Sequence, residues 1–96
     1  MLFKYRKGYV LELKARDELK KNGYYVIRSS GSHGIFDLVA VNENEVLFIQ
    51  IKRQIKRQKI KEEEEIKNFK VPKNCRKEIW IWKPFGKQWE KIFFQT

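Results

Sequence analysis

Gly34-Ile35-Phe36-Asp37-Leu38-Val39-Ala40-Val41-Asn42-Glu43-Asn44-Glu45-Val46-Leu47-Phe48-Ile49-Gln50-Ile51-Lys52 reads as two apolar strands joined by a polar turn at Asn42 to Glu45. Side chains alternate faces along a strand, so Asp37, Val39 and Val41 share one face, and Val46, Phe48, Gln50 and Lys52 share one face of the return strand. A regular hairpin pairing Val41 with Val46 sets Val39 opposite Phe48 and Asp37 opposite Gln50. Directly opposed residues hold their Cβ atoms about 4.5–5.5 Å apart. The pattern therefore gathers a carboxylate, an amide oxygen and an ammonium at one end of an otherwise apolar sheet face. That combination suits a divalent metal and an anionic reacting group.

Ninety-six residues make one domain, and a chain of this size buries only roughly 65% of its unfolded surface. One apolar layer, shared between a sheet and one or two helices, is expected. Lys and Arg number 22 against 12 Asp and Glu, a formal charge of +10, and the pI is near 9.8. This balance favours a polyanionic partner, nucleic acid ahead of an anionic membrane surface. No apolar run approaches the ~20 residues of a membrane span, and the N-terminus lacks a signal-peptide core. A lone cysteine, Cys75, leaves no internal disulfide and no second thiol for a metal, which fits a reducing cytoplasm.

Residues 1–8 are basic and aromatic and are expected to be partly extended. Helical periodicity runs from about Arg6 to Asn22 and closes at Asn22-Gly23, with Gly23 as the left-handed cap. Gly8, Ala15 and Leu19 lie on one helix face with Leu11 at its edge, and Glu12 falls on that same face. A carboxylate in a core-facing stripe either snorkels to the rim or serves a site. The acid awaiting it downstream, Asp37, favours the second.

Tyr24 to Arg28 is β-branched and aromatic and reads as the first strand. Ser29-Ser30-Gly31-Ser32-His33-Gly34 is either an ordinary connection or a loop whose hydroxyls and free N–H groups hug a phosphate backbone. His33 reads as a solvated loop residue and stays outside the catalytic set. Residues 51–61 nearly repeat Ile-Lys-Arg-Gln and hold six basic residues and no acid. Arg53, Lys56, Arg57 and Lys59 sit just beyond the polar cluster, where they would hold phosphates and make affinity salt-dependent; the plain alternative is a solvated charge run.

The acids Glu62 to Glu65 suit the first turn of a short second helix at about 60–70. Successive helical residues point different ways, which argues against a four-carboxylate metal site. A final hairpin follows: Lys77 to Lys83, a turn at Pro84-Phe85-Gly86-Lys87, then Gln88 to Phe94. Trp80, Trp82, Trp89, Phe93 and Phe94 exceed what one face of a small sheet needs. The surplus points to a subunit contact ahead of base stacking.

Helix, three strands, helix and two strands thus carry Glu12, Asp37, Gln50 and Lys52. Arg6-Lys7-Gly8 with Glu12, Arg28 with Ser30-Gly31, Asp37-Leu38-Val39-Ala40 and Ile49-Gln50-Ile51-Lys52 resemble, in order and spacing, an archaeal-type Holliday junction resolvase. The match spans about residues 6–53. That family belongs to the PD-(D/E)xK nuclease superfamily, here in a Q-x-K form also found in nucleases similar to the Mrr restriction enzymes. The resemblance implies an α/β restriction-endonuclease-like domain, a central mixed five-stranded sheet flanked by helices in the order αβββαββ. It also implies a homodimeric, magnesium-dependent endonuclease acting on four-way DNA junctions, with Mn²⁺ as the substitute ion.

Catalytic roles map onto Glu12, Asp37, Gln50 and Lys52, and a substrate contact onto Ser30. The metal set is Glu12, Asp37, the Gln50 amide oxygen and the Ile51 carbonyl, since Mg²⁺ prefers hard oxygen ligands. Lys52 would orient water or neutralise charge on the phosphorane. The DNA-contacting set is Arg6, Lys7, Arg28, Ser30, Ser32, Arg53, Lys56, Arg57 and Lys59. Two alternatives stand beside this reading: an Mrr-like nuclease acting on other DNA, and a non-catalytic protein that grips branched DNA.

Overall fold

The computed structural model describes residues 3–29, 34–54 and 62–94, with side chains from residue 9 onward. Its elements are α1 (Phe3–Lys21), β1 (Tyr25–Arg28), β2 (Leu38–Val41), β3 (Val46–Arg53), α2 (Glu63–Asn68), β4 (Cys75–Lys83) and β5 (Gln88–Phe94). The five strands form one sheet in the order β1-β2-β3-β4-β5. All neighbours run antiparallel except β3 and β4, which are parallel and are joined through the segment containing α2. This is the expected αβββαββ mixed sheet.

The hairpin register follows from alternation. Val41 pairs with Val46 and Val39 with Phe48. Asn42 seals the turn: its N–H donates to the Glu45 carbonyl, and its Oδ1 accepts from the N–H groups of Asn44 and Glu45. At the end of α1, Gly23 adopts φ +91°. Tyr24 N–H donates back to the Leu19 carbonyl and Gly23 N–H to that of Lys20, so glycine supplies the left-handed step a side chain would resist.

Four expectations are corrected. Helix α1 begins at Phe3, so residues 3–8 are helical rather than extended. Residues 3–7 contain no proline or β-branched side chain, and Gly8 costs only about 1 kcal/mol in a helix interior. The second correction concerns layers. Ala15 and Leu19 of α1 pack with Leu38, Ala40, Leu47, Ile49, Ile51 and Trp80 on one sheet face. The opposite face has its own core, where Phe36 packs its ring against both Phe48 and Phe69 and Ile66 of α2 is fully buried, as is Ile79. There are two apolar layers, one under each helix.

Helix α2 is shorter than the expected 60–70, ending at Asn68 with Phe69 extended at φ −75°, ψ 120°. A lysine on the sheet caps that end. Buried Lys77 donates from Nζ to the carbonyls of Ile66, Lys67 and Phe69 at 2.9, 3.0 and 2.6 Å. All three ammonium protons are used, and a cation at a helix C-terminus complements the dipole. Strand β4 starts at Cys75 rather than Lys77, because its parallel pairing with β3 begins at Val46–Cys75. Among the described residues no helix is long and apolar enough to cross a membrane.

Candidate active site

The polar cluster forms where β1 and β3 end and β2 begins. Pairing of β2 with β3 stops at Leu38–Ile49, and Asp37 continues the ladder by donating its N–H to the Ile49 carbonyl at 2.8 Å. The Asp37 side chain then reaches one step farther, with Oδ2 accepting from Ile51 N–H at 2.8 Å. In an extended strand a residue's N–H and C=O project to the same side, which turns the Ile51 carbonyl toward the Asp37 carboxylate. Gln50 lies on the Phe48 face with 8% of its surface exposed. Its Oε1 is buried with no hydrogen-bond partner among the described residues.

Lys52 extends beyond Gln50 and meets Glu62 at 2.8 Å. Glu62 occupies the N-cap of α2 but makes no side-chain capping bond to that helix. From the opposite face, Glu12 of α1 is half-buried and joined to Arg28 of β1, with Oε1 3.0 Å from Nη2 and 3.1 Å from Nε. The Arg28 guanidinium also lies over the Tyr9 ring, 4.6 Å from its centroid.

Asp37 is the point at which these charges meet. Burial holds its carboxyl above its ordinary value, and the Ile51 N–H pulls it partway back. Glu12 and Glu62 raise it further, while Lys52 lowers it. A carboxylate that is costly to ionise next to two other acids is poised to gain from an added cation.

Among the described residues no three His, Cys, Asp or Glu side chains form a ready metal cluster. The oxygens available are mixed: the Asp37 carboxylate, the unpartnered Gln50 Oε1 and the Ile51 carbonyl. Hard oxygen donors with one full charge suit Mg²⁺, which keeps several waters and takes few protein ligands. The residues fit, and the orphaned amide oxygen is the feature the apolar surroundings leave otherwise unexplained.

Asp37, Gln50, Ile51 and Lys52 therefore lie together, with Glu12 and Arg28 joined to them electrostatically. Arg53 is exposed at the end of β3. Arg6 and Lys7 are on the first turns of α1, but their side chains fall outside the described residues, as do Ser30, Ser32, His33, Lys56, Arg57 and Lys59 entirely. Sequence reasoning missed Glu62, since four successive glutamates gave no sign of which one turns to the site. It also missed Lys77 and its neighbour Glu78, where three charges, Arg76 included, interrupt a central strand between Cys75 and Ile79. That interruption was the available signal.

The sequence model of the archaeal Holliday junction resolvase (Hjc) family matches residues 3–95. A curated relative from Methanocaldococcus jannaschii, a crossover junction endodeoxyribonuclease Hjc, is 45% identical over 56 residues. The alignment covers 58% of this chain and 41% of that protein.

Proposed function

Because the chain belongs to the archaeal Holliday junction resolvase family, we propose that it is a metal-dependent endodeoxyribonuclease that hydrolyses phosphodiester bonds in four-way DNA junctions. The observation that carries the proposal is that Asp37, whose Oδ2 accepts from Ile51 N–H, the buried unpartnered Gln50 Oε1 and Lys52, whose charge is felt at Asp37, occupy the same end of the sheet. Asp37, Gln50 and the Ile51 carbonyl would hold Mg²⁺ or Mn²⁺, with Glu12 reaching it directly or through water. When bound, such an ion polarises the phosphate and lowers the pKa of a nearby water.

The chain's own groups do the remainder. Lys52 sits to offset the negative charge that grows on the phosphoryl oxygens as water adds to phosphorus and the bridging P–O bond breaks. Arg28 fixes Glu12 through two contacts, so Glu12 needs little reorganisation to orient water. Arg53 and the basic run that follows would carry phosphate contacts, together with Arg6, Lys7, Ser30 and Ser32. Exposed Phe93 on β5, at 65% of its surface, supports a homodimer that presents two sites to opposed strands. A DNA substrate and an unpaired buried thiol at Cys75 fit a cytoplasmic protein.

One observation favours a second reading. Gln50 supplies a neutral donor where a carboxylate would bind a cation more tightly, which is what a binding-only protein with a degenerate site would show. A nicking assay with magnesium on labelled four-way junction, flap and linear duplex DNA separates the two. Paired nicks in the junction, lost in Lys52→Ala, are expected. Tight junction binding without cleavage at any magnesium concentration would establish the binding-only reading, and preferential cutting of linear duplex would point to an Mrr-like enzyme.

A further inference from the structure

Two carboxylates and two cations, Glu12 with Arg28 and Asp37 with Lys52, leave the proposed site with no net charge, because Gln50 brings none. A divalent ion would approach such a site with little long-range attraction. Glu62 changes the count. Its carboxylate lies 2.8 Å from Lys52 Nζ, and its charge is felt at Asp37. Its position is set by the fold: Glu62 stands at the N-cap of α2, which brings its carboxylate to the end of β3. Glu62 is not needed to charge the helix start, since Glu63, Glu64 and Glu65 already occupy the first turn.

We propose that Glu62 is a positioning residue that supplies the negative charge absent at Gln50. It pairs with Lys52, cancels the repulsion that ammonium exerts on an incoming divalent cation, and leaves the site at a net charge of −1. The inference rests on the nuclease reading and deepens it: the third acid of the site comes from the start of α2. When DNA binds, the phosphate replaces part of this charge, and Lys52 is free to turn from Glu62 to the phosphoryl oxygens. Glu62 therefore governs loading of the cation more than turnover of the loaded complex.

The test is a four-member cycle: the natural chain, Glu62→Gln, Gln50→Glu and the double variant. Magnesium affinity is measured by calorimetry on the DNA-free protein, alongside junction cleavage across a magnesium titration. Removing one unit charge beside a divalent-ion site in a partly buried setting should weaken binding at least about tenfold. Glu62→Gln is expected to lose that factor in affinity and to need correspondingly more magnesium for half-maximal cleavage, with the rate at saturating magnesium little changed. Gln50→Glu should restore affinity in the double variant. A Glu62→Gln protein with unchanged affinity, or a double variant that Gln50→Glu does not rescue, overturns the assignment while leaving the nuclease reading intact. A natural chain that neither binds magnesium nor cleaves with it overturns both.

Discussion

Two buried polar regions lie one strand apart and are finished differently. At the start of β4, Lys77 and Glu78 are each 2% exposed, and both are satisfied. Lys77 fills three main-chain carbonyls of the α2 end. Glu78 accepts from Trp80 Nε1 at 2.8 Å and lies 3.6 Å from Arg76, which also binds Glu45. At the end of β3 the corresponding buried group, Gln50, has an amide oxygen that nothing among the described residues meets, beside an Asp37 whose ionised form burial disfavours. A folded chain seldom leaves a buried acceptor unmet without a use for it. The first region holds the fold together, and the second is where we propose that a cation is held.

The largest break in this contrast should come from Lys77→Met. Three carbonyls lose their donor in a buried setting, and each unmet buried group costs about 1–3 kcal/mol. Relaxation of the α2 end recovers part of this, so a loss of about 3 kcal/mol is expected by urea denaturation, corresponding to a fall in Tm of roughly 12–24 °C for a domain of this size.

Next in size is Glu78→Leu, which strands the buried Trp80 indole N–H. It should destabilise by about 2 kcal/mol in the same assay. The identical change at the other region should reverse the sign. Gln50→Leu removes an acceptor that is already unmet, and should stabilise the metal-free protein by about 1 kcal/mol while abolishing cleavage. Equal destabilisation by the two leucine substitutions would erase the distinction.

Asp37→Asn sharpens the contrast through pH. Burial raises the Asp37 carboxyl in the folded state, so between its ordinary and its raised value the folded protein binds more protons than the unfolded one, and stability falls as pH rises. Asn keeps an oxygen for Ile51 N–H but never ionises. In chelator, the variant should match the natural chain below the ordinary carboxylate range. Its advantage in Tm should emerge as pH rises through that range and hold at neutrality. A variant less stable at neutral pH would show that Asp37 is a structural carboxylate.

Much of this was legible in the sequence because it follows from local periodicity. Alternation from Leu38 to Lys52 set the hairpin register, and with it the nearness of Asp37 and Gln50. Asn22-Gly23 marked the end of α1 because only a residue tolerant of positive φ closes that turn. The second apolar layer was not legible: Phe36, Phe48, Ile66 and Phe69 sit on three separate segments, and only docking of α2 brings them together. Glu62 and Lys77 were hidden for the same reason. A lysine within a strand, or the first of four glutamates, reads as solvated until the packing of another element decides what it faces.

The central claim is that the end of β3 is completed by a cation held on Asp37 and Gln50. The most direct measurement is the change in Tm on adding magnesium to the natural chain and to Asp37→Asn, at neutral pH and without DNA. A ligand that binds only the folded state raises apparent stability by mass action. The account predicts a rise in Tm with magnesium for the natural chain and none for Asp37→Asn. An equal rise in both, or no rise in the natural chain, would contradict it.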